Sequence, residues 1–221
     1  MTFYWKFGSM NSRHNCKYFR LEIVMNDKIL KIHTEEIQRD GKDSYHFHRY
    51  EPTPYEVMDA LFDVFAPKKE DILVDYGCGL GRLNFYLENR FGIRSVGVEL
   101  VESYFLRALE NKEHYKGKRD NITFFHAAAQ DYEISPSDTI FYFFNPFSIE
   151  IFRRVINRIL DSWQAYPRKI TLILYYPEDD TIFYLEHHTN FRLTDEIAAS
   201  DAVIKDRRER FCLYTLPDVT H

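Results

Sequence analysis

From Thr53 onward, short apolar runs alternate with amphipathic stripes, and this alternation predicts an architecture. Val57, Met58, Leu61, Phe62 and Phe65 share one helical face. Ahead of them, Thr53-Pro54-Tyr55-Glu56 offers an N-cap, a proline at the first helical position and a glutamate placed to close a capping box, and Pro67 ends the helix. Strand-like runs follow at Ile72 to Gly77, Ser95 to Leu100, Ile122 to Phe125, Thr139 to Phe144 and Ile170 to Tyr176. Helical stripes separate several of them: Leu80, Leu83, Leu87 and Phe91; then Val101, Tyr104, Phe105, Ala108 and Leu109; then Phe152, Val155, Ile156, Ile159, Leu160 and Trp163. Buried strands joined by helices of this length require right-handed crossovers, hence a parallel sheet covered on both faces.

The two ends of the chain depart from this rhythm. FRLTDEI and ERFCLYTL read as two strands whose polar link is too short for a crossover helix, so they form an antiparallel pair at one sheet edge. The expected fold is thus a doubly wound α/β sheet of seven strands, mostly parallel, with an antiparallel pair at the C-terminal end. Near the start, Tyr18 to Thr34 places Asn26-Asp27 between two β-prone runs, which predicts a hairpin. We divide the chain into an N-terminal extension over 1–52 and a main domain over 53–221.

Composition narrows the function classes. With 221 residues, 45% of them hydrophobic and 29% charged, the chain is long and apolar enough to enclose a core. A net charge of -5 argues against a broad basic face for nucleic acid. Cys16, Cys78 and Cys212 form neither a C-x-x-C pair nor a zinc spacing, which favours a reducing cytoplasm and no metal. No apolar run is long enough to span a bilayer, and no signal peptide is expected at the N-terminus. Oligomeric state is left open.

The most informative segment is Asp75-Tyr76-Gly77-Cys78-Gly79-Leu80-Gly81-Arg82, where the first strand hands over to a helix. Alternate glycines allow a sharp turn and close approach to a ligand, and the helix behind them presents unpaired N–H groups to an anion. Glu99, at the end of the second strand, can accept both hydroxyls of a ribose. A dinucleotide loop would carry a third glycine where Arg82 stands, so a nicotinamide oxidoreductase is the weaker alternative, and no Gly-Lys-Ser/Thr run makes a phosphate-binding P-loop.

Through this loop, Glu99 and the terminal strand pair, the chain resembles the class I S-adenosylmethionine-dependent methyltransferases over Thr53 to Leu216. The resemblance implies S-adenosylmethionine as cofactor, with Gly77, Cys78, Gly79 and Gly81 around its methionine part and Glu99 and Leu100 at its ribose. It implies that Asp75 holds the loop or meets the cofactor amino group, and that Arg82 faces the cofactor carboxylate or solvent. The family often has an acid after the third strand for adenine. Here Ala128 stands at that position, leaving Gln130 or Asp131 as displaced substitutes or Asp131 as a plain loop residue.

Asn145-Pro146-Phe147, after the fourth strand, resembles a shortened Asn-Pro-Pro-aromatic motif of amino-methylating enzymes. The resemblance implies an amine acceptor held by the Asn145 amide oxygen and the Pro146 carbonyl, with Phe147 stacked on it. The bland reading is an Asn-Pro turn with Phe147 in the core. The acceptor could be a small molecule, a nucleobase or a protein amine, and a noncatalytic cofactor-binding module is the second alternative. His46, His48, Tyr50 and Tyr55 are expected in a lid, His187-His188 at a helix end, and Arg207 to Arg210 on a solvated face.

Overall fold

The computed structural model describes residues 25–35 and 51–217. Within them the chain runs α1 (Asp27–Leu30), α2 (Tyr55–Val64), β1 (Ile72–Tyr76), α3 (Arg82–Phe91), β2 (Arg94–Glu99), α4 (Glu102–His114) and β3 (Ile122–His126). It continues with β4 (Ile140–Phe144), α5 (Ile149–Ala165), β5 (Ile170–Tyr175), α6 (Asp179–His188), β6 (Arg192–Ala198) and β7 (Arg210–Leu216). These form one seven-stranded sheet in the order β3-β2-β1-β4-β5-β7-β6. The first five strands are mutually parallel, while β7 runs antiparallel to both β5 and β6. This is the doubly wound sheet expected from the alternation of runs and stripes, with β7 inserted between β5 and the edge strand β6.

Every residue of β1 and β5 is buried, the signature of central parallel strands covered twice. On one face Leu73, Tyr142 and Ile173 pack against Met58, Leu61 and Phe62 of α2 and Phe85 of α3. On the other, Val74, Phe141, Phe143 and Leu172 pack against Phe152, Val155, Ile156 and Ile159 of α5. The edge strand β6 is the opposite case: five of its first residues, including Arg192, Asp195 and Glu196, are exposed, which discourages pairing with another chain.

Two local expectations change. Asn26 and Asp27 do not turn a hairpin: Asn26 caps α1, its side chain accepting the Ile29 N–H, and Lys31 closes that single turn in the left-handed region at φ 61°. Asp27 accepts both the N–H and the hydroxyl of Thr34, which folds the segment back and buries Leu30 and Ile32. Residues 18–24 of the expected hairpin lie outside the described residues. The capping box at Thr53 does not form either, because the Thr53 hydroxyl is 2.9 Å from the Tyr142 hydroxyl in the core, leaving Pro54 as the N-cap without a side-chain bond.

Candidate functional site

At the sheet's centre the chain leaves β1 for β2 and β3 on one side, then returns to β4 on the other. Such a switch opens a crevice beyond the carboxyl ends of the strands, where open α/β sheets bind ligands. Here it opens about 770 Å³ of space that is continuous with solvent. Glu99, Leu100, Val101 and Tyr104 line it from the β2 side, and Ala127, Ala128, Ala129 and Gln130 from beyond β3. Gly77 and Gly79 form its floor, while Phe144, Pro146, Phe147, Ile151 and Glu51 close the β4 side.

The floor is a turn only glycines can make comfortably. Gly77, Gly79 and Gly81 have φ of 78°, 54° and 85°, in the left-handed region that costs side-chain-bearing residues dearly. Gly77 also lies against the Asn145-Pro146 turn, since a Cβ there would come within 2.7 Å of the Pro146 Cβ. The Gly77 N–H donates to the Val98 carbonyl at 2.8 Å and the Gly81 N–H to the Cys78 carbonyl at 2.9 Å, so the loop is braced from below and within. Gly81 caps α3 with no side chain to meet the first N–H groups of that helix.

Glu99 is 7% exposed. Its Oε2 accepts the Gly79 N–H and its Oε1 the Val101 N–H, each at 2.8 Å. Burial pushes its pKa up, opposed by the N–H groups of Val101, Gly79 and Leu100. With about four lone-pair sites, the carboxylate keeps room for a hydroxyl beyond these N–H groups. Asp75, 6% exposed, sits at the end of β1 on the side of the sheet that faces Tyr142. Burial, with the Glu99 charge adding to it, raises its pKa to about 8. No described residue donates a hydrogen bond to its carboxyl group.

Other expected residues fall elsewhere. Arg82 faces neither solvent nor crevice: it is 8% exposed, its Nε donates to the Thr34 hydroxyl at 2.7 Å, and its guanidinium lies 3.7 Å from Asp27 and 4.8 Å from the centre of the Tyr55 ring. Tyr55, expected in a lid, is buried and donates to the same Asp27 carboxylate. Cys78 points into the core, where its Sγ occupies the space a side chain at Gly97 would need, and burial raises its pKa well above the usual thiol range. Of the two displaced candidates after β3, Gln130 lines the crevice, whereas Asp131 is exposed and outside its lining. His46, His48 and Tyr50 lie outside the described residues.

Asn145-Pro146-Phe147 is divided. Pro146 and Phe147 form a wall shared by the crevice and a small hollow, and Asn145 lines the hollow. Phe147 is buried as well, packed edge-on against Phe143, so core and wall are both its role. Asn145 is in the left-handed region at φ 38°, as is Tyr176 at φ 54° at the end of the adjacent strand. The Asn145 Nδ2 donates to Glu178 at 3.4 Å, and Glu178 is held by Arg208 at 2.9 Å. Arg208 also bonds Asp206 and the Tyr176 hydroxyl, and Arg210 pairs with Glu196, so these arginines are neutralised within the chain. His187 and His188 end α6, as expected. Among the described residues, no group of three potential ligands could hold a metal, and no helix is long and apolar enough to cross a membrane.

Glu51, Tyr104, Phe144 and Ile151 line the crevice without having been read as site residues in the sequence. Phe144 and Ile151 were hidden by being ordinary members of a strand and a helix, and Glu51 by standing in a stretch with no periodic pattern.

No family model matches the chain. A protein-lysine N-methyltransferase from Saccharolobus islandicus is 34% identical over 65 residues, which are 29% of this chain; the chain spans 40% of the length of that relative. An RNA methyltransferase from Salinibacter ruber, solved with S-adenosylhomocysteine, is similar in structure with a TM-score of 0.51 and 19% identity, covering 77% of this chain and 97% of that one. An S-adenosylmethionine-dependent methyltransferase from Mesorhizobium loti gives 0.51 at 16% identity over 73% and 98%. A human methyltransferase 10 domain containing protein gives 0.53 at 12% identity over 78% and 85%. The chain has the Rossmann-like fold of class I methyltransferases.

Proposed function

We propose that this chain is an S-adenosylmethionine-dependent methyltransferase whose acceptor is an amine nitrogen. One observation carries the reading: a single crevice runs from the Glu99 carboxylate, across the glycine floor, to the Pro146-Phe147 wall. Glu99 would take the ribose hydroxyls, Gln130 and the alanines after β3 the adenine, and the open N-terminus of α3 behind Gly77–Gly81 the carboxylate of the methionine part. Bound there, the cofactor supplies a methyl carbon on a positively charged sulfur.

The chain's own work is positioning. Nδ2 of Asn145 is engaged by Glu178 in the hollow, and a turn of the side chain toward the crevice would let Oδ1 accept an N–H from an amine at the wall, together with the Pro146 carbonyl. These two oxygens orient the nitrogen lone pair and carry the charge that grows as the N–C bond forms and the C–S bond breaks. The C–S bond pair would stay with sulfur, and the methylated ammonium would release a proton to water. The 65-residue similarity to a lysine-methylating protein agrees with nitrogen as the target.

A second reading, a binding module without turnover, draws support from Ala128 in place of an acid and from Asn145 lying behind the wall rather than on the crevice. Calorimetry with S-adenosylhomocysteine and transfer of labelled methyl to amines decide between them. Binding with transfer that Asn145→Ala abolishes, at unchanged S-adenosylhomocysteine affinity, supports catalysis. Binding without any transfer supports the module, and absence of binding ends both readings.

A further inference from the structure

The crevice lining has a one-sided charge. Among its described residues Glu51 and Glu99 are ionisable acids, and there is no Lys, Arg or His. Glu99 is committed to the N–H groups of Gly79 and Val101. Glu51 is exposed, and no described residue donates a hydrogen bond to it. It lines the same crevice as Phe144, whose ring centre is 4.4 Å from that of Tyr175. Burial and the bond to Glu209 push the Tyr175 hydroxyl pKa up, and the charge on Glu51 is near enough to add to them.

The rim leans the same way at three of its helices. The first turns of α4, α5 and α6, whose N-termini lie at the carboxyl ends of the strands, carry Glu102, Glu150, Asp179 and Asp180. Of the arginines on that side, Arg208 is held between Glu178 and Asp206, Arg82 is buried beside Asp27, and Arg153, followed by Arg154 on α5, lies over the Tyr184 ring. A polyphosphate acceptor would meet carboxylates where it needs cations. An alkylammonium has the complementary shape: its methylenes can lie on Phe144 and Phe147 while its charged head meets a carboxylate.

We propose that Glu51 is the residue that selects the methyl acceptor, and that the acceptor carries a lysine-type primary ammonium on an alkyl chain. This rests on the methyltransferase reading above and narrows its acceptor from any amine to an aliphatic cation. Glu51 holds the ammonium at the mouth of the crevice, next to the Pro146-Phe147 wall, before the nitrogen passes its proton to water and frees the lone pair that attacks the methyl.

The test uses the full chain saturated with S-adenosylhomocysteine and titrated with n-butylamine hydrochloride, with acetyl-lysine methylamide, and with a short oligouridylate. Both amines should bind, and Glu51→Gln should weaken them roughly tenfold, the worth of one charge-assisted hydrogen bond, with S-adenosylhomocysteine affinity unchanged. Glu56→Gln, an exposed acid on α2 outside the lining, should weaken neither. Tighter binding of acetyl-lysine methylamide points to lysine within a peptide, and equal binding to a free alkylamine; both support the inference. If the complex binds neither amine, if Glu51→Gln and Glu56→Gln act alike, or if the oligouridylate binds more tightly than the amines, the inference is overturned while the cofactor reading survives. Failure of S-adenosylhomocysteine itself to bind overturns both together.

Discussion

The amide of Gly79 donates to Oε2 of Glu99 over 2.8 Å, joining the summit of the glycine loop to the end of the neighbouring strand. The contact couples loop shape to the acid that faces the crevice, so the two cannot vary separately. Glu99 brings its charge, and Gly79, at φ 54°, the backbone N–H that meets it.

Glu99→Gln should therefore damage binding more than folding. A glutamine oxygen can keep one of the two N–H groups, but its NH2 faces the other, and the hydroxyl acceptors lose their charge. S-adenosylhomocysteine affinity should fall roughly 30- to 100-fold, about 2–3 kcal/mol. Calorimetry alongside thermal unfolding checks this, and unchanged affinity with a lowered melting temperature would reduce Glu99 to a loop brace.

Arg82→Met makes the converse prediction. It removes the partner of the buried Asp27 and the donor to Thr34, and an orphaned buried carboxylate costs about 3 kcal/mol. Asp27 keeps its bonds from Thr34 and Tyr55, which holds the loss to the low end. Denaturant unfolding should report that loss, limited proteolysis should cut residues 25–35 sooner, and the folded fraction should bind S-adenosylhomocysteine as before. A large drop in that affinity at intact stability would return Arg82 to the cofactor.

Asp75 sets a pH dependence. Its pKa rises from 3.8 in the unfolded chain to about 8 in the fold, so between those values the folded state binds the extra proton. Stability is then greatest at the acid end of the window and falls as pH rises toward 8. Asp75→Asn, which is neutral throughout, should flatten this decline in urea titrations at pH 5, 7 and 9. A wild-type decline that persists unchanged in Asp75→Asn would assign it to other groups.

Much of the scaffold was legible because the cues are local. Leu83 and Leu87 of α3 recur at helical spacing, Ile72 to Tyr76 form an unbroken strand-like run, and the shortness of the link before Arg210 forbade a crossover. The glycine spacing and Glu99 were equally visible, since a turn with positive φ and a strand-terminal acid leave marks within a few residues. The Asn26 hairpin failed because Asn and Asp serve helix caps as readily as turns, and the bonds from Thr34 to Asp27 decided between them.

What the sequence determined by itself is the order of strands and helices, the glycine loop at the first crossover and the acid at the second, because each follows from periodicity or backbone chemistry in a short window. Which side chains meet was decided only by the fold. Arg82 turned inward to Asp27, Asn145 went behind Pro146, and Glu51 came to face Phe144's side of the crevice. These placements depend on contacts between distant segments, where burying a charge is tolerable only beside a partner and a carboxylate at a cavity mouth remains solvated. No window along the chain contains both halves of such a balance.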